Sequence, residues 1–183
     1  MALVWALIPI ANGIFFTRVP IAPLLDEGEK GLTMGELFKK KIFWVLMLMM
    51  LCAGASEQAV SQWASTLAEK NFGINKTIGD LAGPMAFAIL MGSSRAFYGK
   101  FGDKINLERF MQYSAVLCMV SYLMIAFIPV PALGILGCAV CGLSVGIMWP
   151  GTFSMAAASV KRGGTALFSL LALAGDVGCS SGP

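Results

Sequence analysis

The stretch CAGASEQAVSQWAS, residues 52–65, ends an almost unbroken apolar run with Glu57, Gln58, Ser61, Gln62 and Ser65. At 3.6 residues per helical turn, Glu57, Ser61 and Ser65 stack on one face, with Gln58 and Gln62 beside them. Carboxylate and amide groups hydrogen-bond to hydroxyls, and an indole such as that of Trp63 stacks on a sugar ring. The set is suited to a small polar solute of the polyol kind. A second acid, Asp176, lies in LALAGDVGCSSGP between Gly175 and Gly178. A carboxylate at membrane depth can bind and release a proton, as a coupling group for symport would. It can equally serve as a structural hydrogen-bond partner or pair with an arginine. Trp149 is placed either to line a solute cavity or to pack. Asp80 reads as a helix-end residue.

These groups matter because of the segments that carry them. Of the 183 residues, 57% are hydrophobic and 13% charged, where an average soluble domain is nearer a quarter charged. Residues 42–55, 110–130 and 132–158 hold no charge at all. Runs of roughly 18 apolar residues span a hydrocarbon core of about 30 Å. The expected fold is therefore an all-α integral membrane protein, a helical bundle with spans at 1–17, 42–67, 78–98, 110–130, 132–158 and 165–183. The first is partial and the other five complete.

Glu57 sits about 22 Å along the axis from Ile42, in the outer half of its span. A charge near the bilayer centre costs about 2.5–3.5 kcal/mol, so this polar face should look at other helices or a water-filled cavity. The alternative is that the helix leaves the membrane near Ala55.

Arg18, Lys30, Lys39, Lys40, Lys41, Arg95, Lys100, Lys104, Arg109, Lys161 and Arg162 fall on one side of this topology. Lys70 and Lys76 fall on the other. The basic side should be cytoplasmic, which puts the linker 18–41 there and the protein in the plasma membrane as a multi-pass chain. The Asn75-Lys76-Thr77 sequon is then on the outer side. Net charge is +3, and nothing points to nucleic acid. The chain has no histidine, no phosphate-binding loop and no nucleophile set beside a base, so an enzyme is not expected, nor a metal or cofactor. Cys138 and Cys141 read as two small neighbours on one helix face.

The loop RAFYGKFGDKINLER resembles the loop signature of the major facilitator superfamily: Gly, three residues, Asp, Arg or Lys, one residue, Gly. Gly99, Asp103 and Lys104 match, and Asn106 stands at the last Gly. The resemblance implies a gating loop that latches one state of a transport cycle. Its Gly would let two helices approach, and its Asp would sit near a helix N-terminus. GLSVGIMWPGTFSMAAA resembles the tenth helix of the same family. Gly142 and Gly146 there, like Gly178 and Gly182 later, are spaced for close packing, and Pro150 frees a carbonyl and invites a bend.

In that register residues 1–17 end a sixth helix, 18–41 join two halves, and 42–183 form a truncated C-terminal half, helices seven to eleven. A six-helix N-terminal half would be the missing partner. The Glu57–Trp63 spacing also resembles the seventh helix of fucose-permease-type sugar transporters. The resemblance implies secondary active transport of a small polar solute, a sugar or related metabolite with proton coupling. A drug or cation exporter of the same fold and a membrane sensor without flux are the alternatives. Glu57, Gln58, Ser61, Gln62, Trp63 and Trp149 are the expected substrate-binding residues, and Asp176 the expected coupling group.

Overall fold

The computed structural model describes residues 2–20, 31–70 and 75–182, and every long regular element among them is an α-helix. Residues 21–30 of the linker lie outside the described residues, as do the side chains of Lys70, Lys76, Thr77 and Asp80. The chain divides into two compact units, residues 1–30 and 31–183. The first holds α1 (Ala2–Phe16), an apolar helix that takes Pro9 into its interior. Thr17 follows it, its hydroxyl donating to the Ile14 carbonyl at 2.7 Å.

The second unit opens with a helix inside the expected linker, α2 (Met34–Phe38). Its start is a capping box. The Thr33 N–H donates to Glu36 Oε2 at 2.8 Å, and the Glu36 N–H donates back to Thr33 Oγ1. The Thr33 N–H and the Thr33 hydroxyl, which also donates to Glu36 Oε2 at 2.9 Å, hold the Glu36 carboxyl below its usual range. Leu37 is fully buried against Phe43, Leu46, Val160, Leu167 and Leu171, and the Leu32 N–H donates to the Arg162 carbonyl at 2.9 Å. Arg162 takes a left-handed φ of 66° in that turn.

Five further segments follow: α3 (Lys41–Lys70), α4 (Lys76–Phe101), α5 (Leu107–Phe127), the broken pair α6 (Pro131–Val145) and α7 (Met148–Ser159), and α8 (Gly164–Ser181). α3 runs on past Ala55 to Lys70 without interruption, polar face included. Asn106 starts α5, its side chain accepting from the Arg109 N–H at 3.0 Å. Among the described residues, 41–66, 107–127, 131–159 and 164–181 are long and apolar enough to cross a bilayer. α4 has the length, 26 residues or about 39 Å, with Arg95 inside it. The expected single helix over 132–158 is instead divided at residues 146–147, four residues ahead of Pro150.

Glycine sets how the helices meet. A Cβ on Gly178 would run into the Leu51 carbonyl, and one on Gly54 would run into that of Gly175, so α8 lies directly on α3. A Cβ on Gly142 would collide with the Phe87 carbonyl, so α6 lies directly on α4. Lipid offers no hydrophobic gain for association, and backbone-to-backbone approach of this kind supplies contact instead. Cys118, Cys138 and Cys141 are buried in the core between these helices with Val60, Phe87 and Val145.

Candidate solute site

Four segments converge on Glu57. α3 presents it with its side chain 22% exposed, and Oε2 is enclosed with no hydrogen-bond partner among the described residues. α4 brings Arg95, whose side chain is 44% exposed and whose terminal nitrogen stands 3.5 Å from that oxygen. Arg95 Nε also donates to the Gly146 carbonyl at the α6–α7 break, at 3.2 Å. α7 contributes Trp149, Pro150 and Phe153, the two rings 6.4 Å apart and inclined by 54°. The Trp149 indole is seated against Gly175 of α8, where a Cβ would come within 2.5 Å of the ring. Its Nε1–H is buried with no acceptor among the described residues.

Glu57, Arg95, Trp149, Pro150 and Phe153 line one cavity of about 460 Å³. Its walls carry a carboxylate side chain, a guanidinium and two aromatic rings, while Glu57 Oε2 and Trp149 Nε1 themselves are closed off behind that lining. Its fixed charges cancel. A solute bearing hydroxyls can hydrogen-bond to the exposed part of the Glu57–Arg95 pair, while its apolar face lies on an indole or phenyl ring. A solute of net charge would compete for one member of the Glu57–Arg95 pair and leave the other without its partner. A larger hollow of about 550 Å³ lies between α3 and α5, walled by Met49, Met111, Cys118, Met119 and Leu123. It contains no charged group, and Ser56 and Tyr122 supply the hydroxyls of its lining. The Tyr122 hydroxyl donates to the Ser56 carbonyl at 2.9 Å, tying α5 to α3 next to Glu57.

The sequence-expected residues separate into those the cavity gathers and those it does not. Glu57 and Trp149 line it. Gln58 is half-buried, while Ser61, Gln62 and Trp63 are exposed along α3 and do not line it. Asp176 is exposed on α8, one residue beyond the glycine that seats Trp149, and its carbonyl accepts from the Ser180 hydroxyl at 2.9 Å. Gly99, Asp103 and Lys104 sit at the α4–α5 turn, the last two exposed in a 3-10 turn. A Cβ on Gly99 would meet nothing within 4 Å, so this glycine makes no close helix contact here, and Asn106 rather than Asp103 caps α5. Arg95 was missed, having been counted only as an orientation signal. The available clue was its place inside an apolar pattern rather than after it.

Among known proteins, the family model described as Major Facilitator Superfamily matches residues 1–183. No curated protein and no solved structure matches the chain.

Proposed function

The chain belongs to the major facilitator superfamily, a family of membrane transporters, and from that premise we propose secondary active transport of a small polar solute by alternating access. The observation that carries the proposal is the cavity in which Glu57, Arg95 and Trp149 meet. Its charge balance and its aromatic faces favour a neutral, hydroxyl-rich solute such as a sugar or polyol. Asp176 is the proposed proton-coupling carboxylate, lying beside the glycine on which Trp149 rests. In this reading residues 42–183 belong to the second half of the transporter, and a six-helix first half completes the passage. Residues 18–41 are then a cytoplasmic linker, in a protein of the plasma membrane.

The test is uptake into vesicles by the protein carrying both halves, with a labelled neutral hexose, a dicarboxylate and a quaternary ammonium compound offered separately. The reading expects accumulation of the hexose, and its loss in Glu57→Gln. Hexose uptake undiminished by Glu57→Gln would remove the cavity from the mechanism. Accumulation of the cationic compound alone would make the protein an exporter-type carrier.

A further inference from the structure

Pro150 has no N–H, so the helical bond from residue 150 back to the Gly146 carbonyl cannot form. Backbone carbonyls at membrane depth need a partner. Here it comes from another helix: Arg95 Nε reaches across from α4 and donates to that carbonyl at 3.2 Å. The end of the same guanidinium stands 3.5 Å from Glu57 of α3. Close approach makes this geometry available. A Cβ on Gly146 would fall 2.7 Å from the Met91 carbonyl and 2.9 Å from Ser94 Cβ, both on α4, so only glycine lets the break come near enough.

We propose that Arg95 is a positioning residue that clamps the α6–α7 break to α4 by standing in for the hydrogen bond Pro150 removes, and through Glu57 joins both to α3. The inference rests on the solute-site reading in one respect: the clamped α7 carries Trp149 and Phe153, so Arg95 fixes the spacing between the aromatic wall and the carboxylate wall. One side chain thus performs two tasks. It neutralises Glu57, and it sets the angle at which half of the cavity is presented. Neither Arg95 nor Pro150 does this alone. A helix without Pro150 would satisfy its own carbonyl, and Arg95 would then be an ion-pair partner only.

That dependence supplies the test. Nitroxide labels at Ala132 and Ala158, both exposed, report the bend in the full protein with its native cysteines replaced. Along a straight helix the two sites would be about 39 Å apart, within reach of pulsed dipolar spectroscopy. With Pro150 present, Arg95→Gln should at least double the width of the distance distribution. In a Pro150→Ala background residue 150 regains its N–H, and the same substitution should leave the width unchanged. Arg95→Lys is the second variant. It keeps the charge opposite Glu57 but has one ammonium for two partners, so it too should broaden the distribution only when Pro150 is present. Equal broadening in both backgrounds, or none in either, overturns the clamp. The measurement needs no solute, so a failure of transport and a failure of the clamp are read separately.

Discussion

At the residue scale, Glu57 was legible because a carboxylate inside an apolar run has no inexpensive place in a membrane. Its expected companions were less so. Each residue advances about 100° around a helix, so Trp63 lies about 240° from Glu57 and Gln62 about 140°. Both therefore point away from the cavity, and the indole comes instead from Trp149, on a helix far along the sequence. Arg95 was easy to pass over for a related reason. An arginine near a basic loop looks like a topology signal until a neighbouring helix brings a carboxylate to it. The pair makes a prediction of limited size. Arg95 is about half exposed, so a double-mutant cycle with Glu57→Gln and Arg95→Gln should give a stability coupling of about 1 kcal/mol or less by thermal melting in detergent. Transport should respond far more steeply, with each single variant losing at least tenfold in hexose uptake. If Asp176 is the coupling group proposed above, Asp176→Asn should abolish proton-driven accumulation while leaving solute exchange across the membrane intact, measured by counterflow in vesicles.

At the element scale, the apolar runs fixed where the helices are, within a few residues. They could not show the break at residues 146–147, since a proline may kink, end or merely interrupt a helix depending on what takes up the freed carbonyl. The small-residue spacings did foretell contact: Gly178 and Gly182 meet α3, and Gly142 and Gly146 meet α4. Gly178→Val should wedge α8 from α3 and cost about 1–3 kcal/mol, read as a lowered melting temperature. Gly99→Ala is the control. With open space around it, that change should be neutral or stabilise by about 0.5–1 kcal/mol. The linker hid α2 because five residues give no periodic signal, although Thr33 and Glu36 hold capping-box spacing. Glu36 has a folded value below the ordinary 4.5. Its contribution to α2 is thus complete above that ordinary value and lost as pH falls through the lowered one. The protection factor of the Leu32 amide, its exchange rate corrected for the intrinsic rate at each pH, should therefore fall as the solution is acidified through that window, and should already be lowered at neutral pH in Glu36→Gln.

At the scale of the whole molecule, Ser61, Gln62 and Trp63 form an exposed polar and aromatic edge on α3, outside the cavity. In the two-half arrangement proposed above, that edge is covered by the other six helices. Co-expression of a matching six-helix half should then raise the melting temperature of residues 31–183 and protect a cysteine placed at Gln62 from a water-soluble thiol reagent. Unaltered labelling would mean that the edge stays open. The position of α4 has a consequence of a different kind. It is packed against both α3 and α6, yet it is absent from the helices apolar enough to cross a bilayer on their own account. Arg95 raises the cost of placing α4 in lipid as a solitary segment, and Glu57 does so to a smaller extent for α3, which is apolar enough to cross despite it. The insertion machinery therefore handles these two best as a hairpin released together, each hiding the other's charge. A variant that keeps one of the charges and discards the other should then be made in lower yield than one that discards both, while still reaching the membrane.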